Sequence, residues 1–185
     1  MKEIFLITGN KGKLLAAQKV FSRYNIQVKQ IKKEYQEIQA KSSLEIARFT
    51  VLEAVKEFKV PVIREDHSLF IHALNGFPGP YTNYFDKIMP VEALIKILSL
   101  FKDRSAHMEL AAALALPNGK IYDFVYQVHL KISKNIKGVN RNWDKILMLS
   151  DDTHTFSESE EGDRLDVWAK NYEEIAKLLS TKMKK

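Results

Sequence analysis

A chain of 185 residues with 45% hydrophobic and 28% charged side chains is long enough for one buried core, read here as a single α/β domain over 1–185 or two lobes sharing a central sheet. It contains no cysteine, which excludes a disulfide framework and thiolate metal sites, and its net charge of +6 favours anionic partners. No apolar run approaches the roughly 20 residues that span a bilayer, and the four apolar residues at 4–7 are too few for a signal peptide, so the expectation is a soluble, cytoplasmic protein without membrane contact.

In chain order, residues 3–8 read as a buried strand and 12–23 as a helix with Leu14, Ala17, Val20 and Phe21 on one side. A short strand follows near 26–31. Ser42 and Glu45 have capping-box spacing, and Leu44, Ala47, Val51, Val55 and Phe58 recur at helical intervals, which predicts a helix over 43–58. Residues 60–64 and 69–73 are strand-like runs on either side of the polar stretch EDHS. Pro90 starts a helix whose inner face is Leu94, Ile95, Leu98 and Phe101. Runs at 107–117 and 121–132, split by Pro117-Asn118-Gly119-Lys120, predict a hairpin, with Tyr122, Phe124, Tyr126, Val128, Leu130 and Ile132 on its buried face. A strand at 146–149, an acidic solvated loop at 151–163 and a helix at 172–183 capped by Asn171 complete the pattern. The order βαβαβ, then helix, hairpin, strand and helix predicts a mixed sheet with helices against it.

Several stretches carry chemistry. The segment ITGNKGKLL, residues 7–15, ends an apolar strand in Thr8, Gly9, Asn10, Lys11, Gly12 and Lys13. Such strand-to-helix junctions bind phosphate, because helix-start N–H groups point outward and glycine lets a ligand approach the backbone. It is not a P-loop, since only two residues separate the glycines, and taken alone an ordinary turn accounts for it equally well. Glu65 and Asp66 follow the apolar run 60–63; two adjacent carboxylates at a strand end are either solvated or share a cation. Magnesium suits such a pair, because it takes one or two carboxylates, keeps waters and binds phosphate oxygens, and Glu37 is the candidate partner ligand. His72, His107, His129 and His154 are scattered without metal-ligand spacing.

The segments TGNKGK, EIQ, EDHSL and ALNGFPGPY occur here in the order and spacing of the inosine triphosphate pyrophosphatase family, which the chain resembles over some 80 residues. The resemblance implies an α/β fold with an elongated mixed sheet flanked by helices, two lobes with a cleft between them, and a homodimer. It also implies magnesium-dependent hydrolysis of non-standard purine nucleoside triphosphates (ITP, dITP, XTP) to the monophosphate and pyrophosphate. By position, Thr8, Asn10 and Lys13 match the triphosphate-binding segment, with Gly9, Lys11 and Gly12 inside it. Glu37 matches the acidic metal ligand, although Gln36 stands where proline is usual. Asp66 matches the metal ligand or water-orienting base, with Glu65 beside it. His67 is either a phosphate contact or a surface imidazole. The base-recognition half departs from the family: RNWDK keeps Trp143 and Asp144 but lacks the flanking Phe-Gly and Pro, while Arg164 and Lys170 stand in for a lysine and for the end of Ser-His-Arg. Trp143 either stacks on a base or packs in the interior. These departures leave two alternatives beside the enzyme: a nucleotide-binding relative with lost or altered catalysis, and a basic nucleic-acid-binding module, for which no RNP, zinc-finger or basic-zipper pattern speaks.

Overall fold

The computed structural model describes residues 2–36, 38–139, 142–160 and 165–182. Helices flank a mixed sheet of seven strands. The chain divides into two compact units, the first comprising Met1–Asp66, Leu110–Tyr126 and Leu165–Lys185, the second His67–Glu109 and Gln127–Arg164.

In the first unit, β1 (Lys2–Ile7) lies between β2 (Ile26–Ile31) and β3 (Val62–Ile71), parallel to both, with Ile4 opposite Val28 and Leu6 opposite Ile63. The connection from β1 to β2 is α1 (Lys11–Ser22), and that from β2 to β3 is α2 (Ser43–Phe58). Crossovers of one hand that travel in opposite directions along a sheet lie on opposite faces. Accordingly Ala16, Ala17, Val20 and Phe21 of α1 pack with Ile4, Leu6 and Ile63, whereas Ala47, Val51 and Ala54 of α2 pack with Ile7, Ile31 and Val62. Tyr172, Ile175 and Ala176 of the last helix, α6 (Lys170–Lys182), join the α1 layer. Caps fix both helix starts: Asn10 accepts from Lys13 N at 3.1 Å, and Ser42 accepts from Glu45 N at 3.3 Å.

β3 is one strand of ten residues, not two runs interrupted by EDHS. The polar residues do not break it because they find partners on the two faces: Glu65 Oε1 accepts from Asn171 Nδ2 at 3.0 Å on one, and Asp66 accepts from Ser43 Oγ at 3.0 Å on the other. α6 also differs from expectation. It starts at Lys170, after the short α5 (Leu165–Trp168), so Asn171 lies inside the first turn instead of capping it; Met183 is outside the described residues.

In the second unit, β4 (Pro78–Gly79) pairs antiparallel with β3, Leu69 opposite Gly79. The Thr82 hydroxyl ties this turn down, accepting from Leu69 N at 2.7 Å and donating to Gly79 O at 2.6 Å. Gly76 and Gly79 take φ of +86° and +57°, a backbone region that disfavours any other residue. Then come α3 (Thr82–Ile88), which the sequence reading missed, and α4 (Val91–Leu98), which buries Val91, Leu94 and Leu98. Phe101, expected inside, is 40% exposed, because the helix stops before its period reaches that residue. β5 (Ser105–Ala115) and β6 (Ile121–Ile132) form the predicted hairpin, and β7 (Leu147–Leu149) pairs with Leu130–Ile132. Val128, Leu130 and Ile132 are buried as expected, but Tyr126 is exposed, on the stretch of β6 that β7 leaves as a sheet edge. Among the described residues, no helix is long and apolar enough to cross a membrane.

Candidate active site

Where β1 stops at Ile7, its neighbour β3 continues, so the backbone of Glu65 and Asp66 faces the space beyond the β1 carboxyl end. With α1 and α2 departing to opposite faces there, this is the switch-point position at which open α/β sheets bind ligands.

The turn from β1 into α1 is built by its own side chains. Thr8, buried, accepts from Asn10 N at 3.0 Å through its hydroxyl, and its carbonyl accepts from Gln30 Nε2 at 2.7 Å. Asn10 takes up the Lys13 N–H, whereas the N–H groups of Lys11 and Gly12, in the first turn, have no intrahelical carbonyl to meet. Gly9 needs no left-handed φ; nothing lies within 4 Å of where its Cβ would stand, so the backbone is open on that side. Gly12 is buried in the first turn of α1 and Lys11 is exposed. The Lys13 ammonium crosses from α1 to β3 and donates to Glu65 O at 3.0 Å, which places a positive charge between the turn and the acidic pair.

The two carboxylates do not share a face. Pleat alternation sends Glu65 to the α1/α6 side and Asp66 to the α2 side. Glu65 is 2% exposed, and its Oε1 accepts from Asn171 Nδ2 at 3.0 Å; the same amide group donates to Leu110 O at 2.9 Å. The neighbouring Tyr172 phenol is fully buried and has no hydrogen-bond partner of normal geometry among the described residues. Burial first, then the Glu65 carboxylate, hold its pKa well above the ordinary tyrosine value, so it stays neutral. Asp66, half buried, lies against the start of α2, where Ser43 Oγ donates to its Oδ2 at 3.0 Å. Ser43, Asn171 and Tyr172 were missed in the sequence. Ser43 was hidden behind its capping neighbour Ser42, and Asn171 had been assigned to a cap.

Other sequence candidates fall elsewhere. Glu37 and Arg164 lie outside the described residues. Lys170, in the first unit, sits 3.9 Å from Glu173 in a half-buried ion pair. His67 is half buried on β3 directly after Asp66, in the second unit. Of the two readings left open for Trp143, the geometry matches interior packing: it is 2% exposed, its indole donates to Met89 O at 3.0 Å and its backbone N–H donates to Asp86 Oδ1 at 3.0 Å. A ring so enclosed packs the second unit and has no face on which a base can stack. Asp144, half buried beside it, accepts the Ser157 N–H on its carbonyl at 3.0 Å. Among the described residues no three His, Asp or Glu side chains gather as a metal cluster.

A parallel βαβαβ half with a capped turn, a lysine and carboxylates at the switch point defines an α/β protein built to handle an anionic ligand. Its fold matches the Ham1 protein of Staphylococcus aureus, with a TM-score of 0.78 over 99% of this chain and 98% of that one at 22% identity. The chain belongs to the Ham1 family, whose model matches residues 4–177. It is 37% identical over 183 residues to a dITP/XTP pyrophosphatase of Ignicoccus hospitalis, covering 97% of both chains. To the dITP/XTP pyrophosphatase of Saccharolobus solfataricus it is 32% identical over 183 residues, covering 97% of this chain and 94% of that one.

Proposed function

We propose that this chain hydrolyses non-standard purine nucleoside triphosphates of the dITP and XTP class to the monophosphate and pyrophosphate. The observation that carries the reading is the Lys13 ammonium fixed on Glu65 O, between an open helix-start turn and the carboxylates of β3, in a member of the Ham1 family.

In this reading the Gly9–Gly12 backbone and the start of α1 hold the polyphosphate, because outward N–H groups and the helix dipole favour negative charge there. Lys13 offsets the charge that develops on the phosphates. Asp66, less buried and on the α2 side, orients the attacking water. Glu65 ties β3 to α6 through its side chain, held by Asn171, while its backbone carbonyl holds the Lys13 ammonium. Magnesium fits the donor chemistry: a half-buried carboxylate, Asp66, one of whose oxygens is already oriented by Ser43. Such an ion takes one or two carboxylates and leaves its other positions to water and phosphate oxygens. Asp66 is the ligand in this assignment, with Glu37 as its partner. When bound, the ion neutralises developing phosphate charge.

The base is held by residues other than Trp143. The assembly assigned is a homodimer in the cytoplasm, and sedimentation of the purified protein measures the former. The activity test is incubation with a panel of triphosphates and magnesium. The reading requires monophosphate and pyrophosphate from dITP or XTP well in excess of those from dATP or dGTP; no product from any purine triphosphate overturns it.

A further inference from the structure

Three histidines that look unrelated in sequence come together in the second unit. His72 follows β3, while His107 and His129 lie on β5 and β6, in a sheet where β3, β5 and β6 are successive neighbours. The bonds Leu116 N to Lys120 O and Ile132 N to Arg104 O share one antiparallel register, which sets His107 directly opposite His129. His72 Nε2 lies 2.9 Å from His107 Nδ1, and the His107 ring stacks on Phe70 with centroids 4.9 Å apart and planes within 4°.

The protons in this group have a direction. Asp103 Oδ1 accepts from the Ser105 hydroxyl at 2.7 Å, so Ser105 Oγ is left as the acceptor for His72 Nδ1 at 2.8 Å. His72 therefore carries its proton on Nδ1 and presents the lone pair of Nε2 toward His107. An imidazole oriented by an outer hydroxyl–carboxylate pair, lone pair turned to a second imidazole, is the arrangement that transition-metal sites use. Two nitrogens at about 2.0–2.1 Å from a tetrahedral ion are about 3.3 Å apart, so an ion replaces the shared proton with an opening of about 0.4 Å. His107 then moves its proton from Nδ1 to Nε2, a tautomer change without change of charge. Burial, followed by His72 and His129, lowers the His107 pKa, which reduces proton competition for that nitrogen.

We infer that His72 Nε2 and His107 Nδ1 form a two-imidazole binding site for a borderline divalent transition ion of the zinc type, with Ser105 and Asp103 as its outer support. Imidazole ligands set this site apart from a carboxylate site for magnesium.

The test is calorimetric titration of the untagged, full chain with zinc chloride in excess magnesium, so that carboxylate sites are already filled. Wild type should bind one equivalent. His72→Gln and His107→Gln should each weaken binding at least tenfold, and Ser105→Ala, which keeps both imidazoles, should weaken it several-fold. His154→Gln, at an exposed imidazole 3.3 Å from Asp152, should leave it unchanged. The inference is overturned if wild type binds no zinc, if both imidazole variants keep wild-type affinity, or if only His154→Gln abolishes binding.

Discussion

The Asn171 amide makes two bonds in the interior, to Glu65 Oε1 at 3.0 Å and to Leu110 O at 2.9 Å, and Asn171 is 2% exposed. Replacing it with leucine, of the same branching and heavy-atom count but without donors, removes both at once. A hydrogen bond to a charged group contributes about 1.5–3 kcal/mol and one to a neutral carbonyl about 1 kcal/mol, so Asn171→Leu should cost about 2.5–4 kcal/mol. At about 2–4 °C per kcal/mol for a chain of this size, that is a fall in Tm of about 5–16 °C. Urea unfolding followed by far-UV circular dichroism reads it directly, as a lower midpoint at unchanged slope. Asn171→Asp should be worse at neutral pH, since it sets a second carboxylate against Glu65. That pair's protonation is favoured in the folded state, so its lost stability should return as the pH falls. A cost below about 1 kcal/mol for Asn171→Leu would refute the claim that this amide holds Glu65 in the interior.

Other outcomes follow from the same geometry. Lys13→Met should lower kcat for dITP by about 10² or more while the protein stays folded, because it removes a preorganised counter-charge; a steady-state assay beside a melting curve separates the two effects. Trp143→Phe should cost about 1–3 kcal/mol with unchanged KM, since the indole packs the second unit and Met89 O keeps its bond from Asn142 Nδ2 at 2.8 Å. A large rise in KM would restore Trp143 to the binding site. Tyr172, whose folded pKa is raised, stays protonated above pH ~10 while the unfolded chain ionises, so stability should fall there by about 1.4 kcal/mol per pH unit for this one group. In Tyr172→Phe that increment of slope should vanish, as denaturant midpoints between pH ~10 and 11 will report.

The regular elements were legible in the sequence because their signals are local. Helical spacing with a Ser42 cap specified α2, and a strand followed by Thr8-Gly9-Asn10 specified the turn into α1. What failed depended on partners distant in sequence. EDHS reads as a break until Ser43 is seen holding Asp66 from across the unit, and Asn171 reads as a cap until Glu65, 106 positions earlier, is seen beneath it. Trp143 in RNWDK was ambiguous for the same reason, since Met89 and Asp86, which enclose it, lie more than 50 residues away. The histidine group was invisible because it depends on the order of β3, β5 and β6 in the sheet.

The turnover of Asp66→Asn with dITP and magnesium probes the assignment at its centre. The substitution keeps the acceptor oxygen for Ser43 and removes only the charge, so the protein should fold and melt normally while kcat falls by about 10² or more. Wild-type kcat in a folded Asp66→Asn protein would contradict the placement of metal binding and water orientation on this strand.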